Sequence, residues 1–159
     1  MRITSAGAGD FARLTEIWEA AVRASHDFLT EADILFYKGQ VRDLYLAKVE
    51  LLAARDDEEG ILGFMGMSPP DRVEMLFVDP FDSGKGVGTA LIRHALAKHG
   101  TLALDVNEQN PAAIRFYVNR GFIRTGRSPL DGQGRPFPLI HMRLSPTAKG
   151  SALGTRWGK

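Results

Sequence analysis

The stretch DSGKGVGTAL, residues 82–91, most constrains the fold, because it joins an apolar run to an apolar-periodic segment through a loop rich in glycine. Gly84, Gly86 and Gly88 lie close together there. Glycine inside a helix is unfavourable by about 1 kcal/mol relative to alanine, so a helix that begins with three glycines needs a reason. The pattern predicts a strand, a glycine loop and a helix in direct succession, a unit typical of α/β proteins.

The first turn of a helix offers a physical reason for such a loop. Its four N–H groups without intrahelical partners and its partial positive charge bind anions, above all phosphates. Glycines let a ligand approach the backbone, and Lys85 adds a cation. A flexible β–α turn without a ligand is the alternative interpretation. The P-loop pattern does not fit, because Lys85 comes before the last two glycines and no lysine separates Gly88 from Thr89. The Rossmann fingerprint does not fit either, because Thr89 stands where its third glycine or alanine would fall.

The rest of the chain predicts an α/β domain with the order β-α-α-β-β-β-α-β-α-β-β and a mixed sheet. Two helices are expected to begin after Asp10 and Thr30, the second with a capping-box spacing to Asp33. Asn110 followed by Pro111 predicts the start of the last helix. Strands are predicted near the N-terminus and at 49–55, 60–67, 73–79, 101–106, 122–128 and 138–144.

The domain is expected to span residues 1–145, and residues 146–159 are expected to form a disordered tail, because the end of the chain has small and basic residues and no acidic ones. A length of 159 residues suits one domain.

Composition excludes several classes of function. The formal net charge of +1 provides no global attraction for nucleic acid or an anionic membrane. The chain has no cysteine, which excludes disulfides, thiolate metal sites and a cysteine nucleophile. It has no apolar run long enough to cross a membrane and no secretory signal, so a cytoplasmic protein is expected. No metal is implied, since His94 and His99 lie five residues apart and do not share a helix face.

Two motifs resemble those of the GNAT acetyltransferases. Ser83 to Gly88 resembles the family's coenzyme A loop, [R/Q]-x-x-G-x-[G/A], with Ser83 at the position that usually holds Arg or Gln. The segment DVNEQNPAAIRFYVNRGF, residues 105–122, resembles the family's fifth strand and fourth helix. The resemblance covers about residues 2–145 and implies a mainly antiparallel mixed sheet with strands 4 and 5 splayed apart.

The resemblance also implies a site for acetyl-CoA or CoA as co-substrate. The backbone of the splayed fourth strand would pair with the pantetheine arm, and the glycine loop would hold the pyrophosphate. Asn110 matches an asparagine that often contacts the arm, although a helix N-cap needs no ligand. The expected cofactor-binding residues are Leu76, Phe77, Val78, Ser83, Gly84, Lys85, Gly86, Val87, Gly88, Thr89, Asn110 and Tyr117.

The implied reaction is attack of an amine on the acetyl thioester, which needs a base and a proton donor. Tyr117 matches the family's catalytic tyrosine and is protonated at neutral pH, with Phe116 beside it expected to take the core position. Glu74 on the fourth strand and His26 between the first two helices are rival candidates for the base. The alternation of Val73, Met75 and Phe77 predicts Glu74 on the opposite face of its strand.

Two functions follow from these expectations. The first is an N-acetyltransferase that moves an acetyl group from acetyl-CoA to a primary amine of a small molecule or a protein. The second is a CoA-binding sensor or regulatory module without significant turnover. Family members are often dimers, so a homodimer is a further expectation from the resemblance.

Overall fold

The computed structural model describes residues 1–146, so the expected tail lies, from residue 147 on, outside the described residues. Seven strands form one sheet in the order β1-β2-β3-β4-β5-β7-β6, and every neighbouring pair is antiparallel except β4 and β5. The predicted order of helices and strands is confirmed. The elements are β1 Arg2–Ser5, α1 Phe11–Ser25, α2 Glu31–Gln40, β2 Glu50–Arg55, β3 Ile61–Ser68, β4 Arg72–Val78, α3 Val87–His99, β5 Leu102–Asn107, α4 Pro111–Asn119, β6 Ile123–Ser128 and β7 Leu139–Leu144.

Strands β4 and β5 diverge in the middle of the sheet. They pair in parallel only at Arg72 with Ala103 and at Val73 with Leu104. Beyond those pairs, β4 continues against β3 and β5 continues against β7. The expected splay is therefore confirmed, and it opens a cleft through the sheet.

A β-bulge at Glu74 corrects the simple alternation expected for β4. Gly66 pairs with Met75 and Met67 pairs with Val73, which leaves Glu74 as an extra residue on its strand. Val73 consequently packs on the opposite side of the sheet from Met75 and Phe77. The prediction that these three residues share one face was wrong, because a bulge shifts the period of two by one residue.

Each face of the sheet has its own core. Helices α3 and α4 cover one face, where Leu91, Leu102 and Met142 are almost completely buried. Helices α1 and α2 cover the other face, where Leu14 and Phe64 are completely buried. The two helix pairs lie on opposite faces of the sheet. The β4–β5 cleft is therefore lined by residues from both faces.

The helix caps follow the sequence signals. Thr30 and Asp33 form a reciprocal capping box at the start of α2, and Asn110 Oδ1 accepts the Ala113 N–H at the start of α4. Asp10 precedes α1, but its carboxylate accepts the Gly7 N–H instead of capping the helix. Within residues 1–146, no helix has both the length and the apolar character that crossing a membrane requires.

Candidate active site

A groove of about 640 Å³ lies on one side of the β4–β5 cleft, and we call it the cofactor groove. Its walls come from the end of β4, the glycine loop, the first turn of α3, helix α4 and the C-terminal end of α1. The structure brings together here all of the expected cofactor-binding residues except Lys85.

The glycine loop exposes bare backbone to this groove. Gly84 and Gly86 have φ angles of 78° and 81°, a conformation that L side chains rarely adopt, and a Cβ at either would point into open space. Gly86 directly precedes α3, so the free N–H groups of the first helical turn begin at the groove. At Gly88 a Cβ would lie 3.1 Å from Phe116 Cζ, so the absence of a side chain there lets α3 and α4 approach closely.

Two charged groups at the loop neutralise each other. Lys85 Nζ lies 3.0 Å from Asp82 Oδ1, and the lysine side chain is largely exposed. Asp82 lines the cofactor groove, whereas Lys85 does not. The cation that the sequence suggested for phosphate binding therefore offsets the charge of a neighbouring carboxylate.

Arg120 is a groove residue that the sequence analysis missed. Its Nε donates to Thr89 Oγ1 at 2.9 Å, and its guanidinium lies 4.8 Å from the centre of the Phe116 ring. No carboxylate within residues 1–146 lies in ion-pair range of this arginine. This guanidinium has no carboxylate partner within residues 1–146 and lies beside the positive N-terminal end of α3. It can therefore bind a phosphate group. In the sequence, Arg120 directly precedes Gly121, which indicates that it lies at the end of α4.

Tyr117 is the buried member of the Phe116–Tyr117 pair, so the expected assignment of Phe116 to the core is reversed. Phe116 is half-buried at the groove, whereas Tyr117 lies in the core cluster with its ring against Phe122. Tyr117 also lines the groove. Burial raises the pKa of its phenol above the ordinary value, which keeps the hydroxyl protonated.

A second cavity of about 590 Å³ lies on the opposite side of the cleft, and we call it the acceptor pocket. It has aromatic walls, three carboxylates and two cationic side chains, Lys48 and Arg72, and it meets the cofactor groove at His26 and Phe77, which line both. Its aromatic residues are Trp18, Phe28, Tyr37, Tyr45, Phe77 and Phe137, and its carboxylates are those of Glu74, Asp105 and Asp131.

Glu74 lies in the acceptor pocket at the bulge of β4. Its Oε2 accepts a hydrogen bond of 2.6 Å from Ser68 Oγ, and its Oε1 lies 3.4 Å from Arg72 Nε. Arg72 also donates to Asp105 on β5. The guanidinium thus joins two carboxylates across the opening of the cleft.

Asp105 is a pocket residue that the sequence analysis missed. Leu104 and Val106 are buried in the core below α3 and α4, so Asp105 between them points to the other face of β5. The alternation of apolar and polar residues along LALDVN was a sufficient signal for that placement.

His26 lies at the junction of the two cavities, directly after the end of α1. Its Nδ1 is 2.7 Å from Ser25 Oγ. Burial lowers the pKa of its imidazole, and the neighbouring charge of Asp27 opposes that effect only in part. It is the one titratable side chain within residues 1–146 that lines both the groove and the pocket, and it is neutral at pH 7.

The loop between β6 and β7 closes the far side of the acceptor pocket. Tyr37 on α2 donates a hydrogen bond to Asp131 in this loop. Arg135 holds the loop from the other direction, with its Nη1 2.8 Å from Asp33 Oδ1 and its guanidinium stacked on Phe36. Burial, together with the Asp131 hydrogen bond, raises the pKa of the Tyr37 phenol.

Comparisons with known proteins agree on one family. Residues 11–122 match the Acetyltransferase (GNAT) family model. The peptidyl-lysine N-acetyltransferase YjaB of Salmonella typhimurium is 38% identical over 133 residues, which cover 82% of this chain and 88% of that protein. The solution structure of apo-form YjaB from Escherichia coli matches with a TM-score of 0.83 and 36% identity, over 90% of this chain and 97% of that one. The structure of yncA from Salmonella typhimurium with its cofactor acetyl-CoA matches with a TM-score of 0.60 and 23% identity, over 92% of this chain and 94% of that one, and shares the fold.

Proposed function

The chain belongs to the acetyltransferase (GNAT) family and is an N-acetyltransferase, and we propose that it carries an acetyl group from acetyl-CoA to the side-chain amine of a lysine in a protein. The observation that carries this proposal is the junction at His26 and Phe77, where a groove of anion-binding backbone meets a pocket rich in carboxylates and aromatic rings. The relatives named YjaB act on peptidyl-lysine. A sensor without turnover is not favoured, since these relatives are named as enzymes.

The cofactor groove suits a long, anionic thioester. The free N–H groups at Gly86 and the start of α3, together with Arg120, would hold the pyrophosphate. The backbone of Leu76, Phe77 and Val78 would pair with the amide groups of the pantetheine arm, because no strand within residues 1–146 pairs with this part of β4 on the side of the splay. The thioester would then lie at the junction with the acceptor pocket.

Asn110 is compatible with a contact to the same arm. Its carbonyl oxygen is used by the cap of α4, which leaves the two hydrogens of its amide nitrogen for a ligand. The cap and the contact therefore do not compete for one atom.

The acceptor pocket suits an alkylammonium group. A lysine ammonium has a pKa near 10.4 and arrives charged at neutral pH. The three carboxylates outnumber the two cations of the pocket, Lys48 and Arg72, and would attract it, while the aromatic walls would enclose its aliphatic stem. This arrangement orients the amine towards the junction before it loses its proton.

His26 and Tyr117 would supply the proton transfers. His26 is neutral and lines both cavities, so we assign it the role of base, with Glu74 attracting the ammonium group. The amine nitrogen then attacks the acetyl carbon, the C–S bond breaks, and the CoA thiolate takes the proton of the Tyr117 hydroxyl. The second proton that the nitrogen loses restores the Tyr117 phenol, and His26 releases its proton to solvent. Burial disfavours both the phenolate and the thiolate, so Tyr117 holds its proton until sulfur accepts it.

The test is release of free CoA thiol from acetyl-CoA in the presence of a lysine peptide whose α-amine is blocked. We expect thiol release together with a gain of one acetyl group on the lysine, detected by mass spectrometry. The control peptide has arginine in place of lysine and should remain unmodified. Stabilisation of the protein by acetyl-CoA without thiol release for any amine would support the sensor instead, since a ligand at 100 times its Kd adds about 2.7 kcal/mol of stability.

A further inference from the structure

Three side chains outside the cofactor groove form a continuous hydrogen-bond chain across β6, β7 and β5. Ser128 Oγ lies 2.7 Å from His141 Nε2, and His141 Nδ1 lies 2.5 Å from Asp105 Oδ1. This is the order of contacts found where a carboxylate orients a histidine and the histidine activates a serine. Ser128 and His141 line neither of the two cavities described above.

The strand pattern fixes this arrangement. Ile140 and Met142 are buried on the face below α3 and α4, so His141 between them points to the opposite face. Gly126 lies opposite His141 in the β6–β7 ladder, and a Cβ there would be 3.2 Å from His141 Cδ2. The imidazole therefore lies over a position that only glycine leaves free, and its ring is held in one orientation.

The charges fix the tautomer of His141. Asp105 also accepts a hydrogen bond from Arg72, so its carboxylate lies between a guanidinium and the imidazole. A carboxylate at Nδ1 requires the proton on that nitrogen, which leaves Nε2 as an acceptor for the Ser128 hydroxyl. The groups that face the imidazole within residues 1–146 are Asp105 from β5 and Ser128 from β6, while Arg143 on β7 pairs with Asp71 instead.

We propose that Ser128 is an acyl-accepting nucleophile, activated by His141 and Asp105, that reacts with small aryl esters and acyl thioesters arriving from solvent. Ser128 Oγ forms a bond to the acyl carbon while its proton passes to His141 Nε2. The bond from the acyl carbon to the leaving oxygen or sulfur then breaks, and the proton leaves with that group or to solvent. The product is an acyl ester of Ser128.

The surroundings of Ser128 permit this reaction. Its residue is half-buried and the His141 side chain is 34% exposed, so a small ester reaches both. Strand β6 is the edge of the sheet, so no further strand covers the outer side of Ser128 within residues 1–146.

The chain contains a natural control for this proposal. Ser25 Oγ lies 2.7 Å from His26 Nδ1, the same separation as in the Ser128 pair, but no carboxylate within residues 1–146 hydrogen-bonds to the His26 ring. The serine–histidine contact is thus present at both places, whereas the orienting carboxylate is present at only one. We expect Ser128 to be acylated and Ser25 to remain unmodified.

The experiment treats the full chain with p-nitrophenyl acetate at neutral pH, followed by tryptic digestion and mass spectrometry. The expected peptide, SPLDGQGRPFPLIHMR (128–143), has no lysine, threonine or tyrosine and no second serine. The other nucleophile in it is the imidazole of His141, so fragment masses that place the gain of one acetyl group on the serine identify Ser128. We expect that gain in the wild-type chain, its loss in Ser128→Ala, and an initial rate lower by about 100-fold in His141→Gln.

Three results would overturn the proposal. They are a wild-type peptide that stays unmodified, a label that persists in Ser128→Ala, or equal rates for the wild type and His141→Gln. The wild-type mapping needs no variant, so the outcome does not depend on whether His141→Gln folds. Acetylation of the lysine peptide by Ser128→Ala checks that this variant is folded.

Discussion

The cofactor groove and the acceptor pocket share a cleft but are built in different ways. The groove is formed largely by two continuous segments, residues 76–89 and 110–120, and the groups proposed to hold the pyrophosphate are backbone N–H groups and Arg120. The pocket collects side chains from segments far apart in the sequence, including α1, α2, β4, β5 and the β6–β7 loop. The groove is therefore determined by local sequence, whereas the pocket depends on how distant segments pack.

The largest expected effect comes from Tyr117→Phe, a change in the wall of the cofactor groove. Removing the hydroxyl takes away the proton donor for the thiolate, so kcat should fall by about 100-fold. The ring remains between Phe116 and Phe122, so the KM for acetyl-CoA should change little. Steady-state thiol release measures both constants, and an unchanged kcat would remove Tyr117 from the mechanism.

The next largest effect separates the two candidates for the base. We expect His26→Gln to lower kcat by at least about tenfold. We expect Glu74→Gln to raise the KM for the lysine peptide, because Glu74 attracts the ammonium group.

The pH dependence adds a second readout for His26. Burial lowers the pKa of His26, so the wild-type rate should hold from neutral pH down to about 6.5 and decline only below it. Below about pH 6.5 the unfolded chain binds more protons at His26 than the folded chain does. The free energy of unfolding therefore also falls as the pH drops below that value. Both declines should weaken in His26→Gln. A decline in rate that moves only in Glu74→Gln would assign the base to Glu74.

Backbone geometry allows a matched test of the groove. Gly86 and Gly100 both have a φ of 81° and open space at the Cβ position, but only Gly86 lines the groove. Alanine at either position costs about 1–2 kcal/mol of conformational strain. We expect both variants to lose similar thermal stability, while Gly86→Ala alone raises the KM for acetyl-CoA by about tenfold, the equivalent of about 1.4 kcal/mol. Equal KM values for the two variants would contradict the assignment of the loop to phosphate binding.

The same contrast explains how far the sequence could predict the molecule. The element order, the splay and the glycine loop follow from local patterns and from the resemblance, and the structure confirms the first two. The face of Val73 was predicted wrongly because the bulge at Glu74 cannot be read from a period of two. Arg120 and Asp105 were missed because their roles depend on residues far away in sequence, Thr89 for the first and Arg72 for the second.

A smaller effect is expected in the acceptor pocket from Tyr37→Phe. This change removes the hydrogen bond to Asp131 and loosens the β6–β7 loop on that side, while Arg135 still holds it from Asp33. A hydrogen bond to a charged group contributes about 1.5–3 kcal/mol, and the remaining contact of the loop reduces the loss, so the KM for the lysine peptide should rise about fivefold. The KM for acetyl-CoA should stay constant. A change in both KM values would mean that the two cavities are coupled through this loop.

The smallest expected effect comes from Ser83→Arg, which restores the side chain that the resemblance predicts at the start of the glycine loop. Ser83 lines the groove, and Arg120 already offers a guanidinium on its other wall. A second, solvent-exposed cation contributes up to about 1 kcal/mol, so the KM for acetyl-CoA should fall about threefold. Because exposed charges are screened by salt, the gain should shrink as ionic strength rises. The control Ser83→Ala removes the hydroxyl without adding charge and should leave the KM unchanged.

The gain in affinity from Ser83→Arg should be larger in the background of Arg120→Gln, since the new arginine then replaces a lost phosphate contact. A gain that is the same with and without Arg120 would mean that Arg120 does not contact the phosphates.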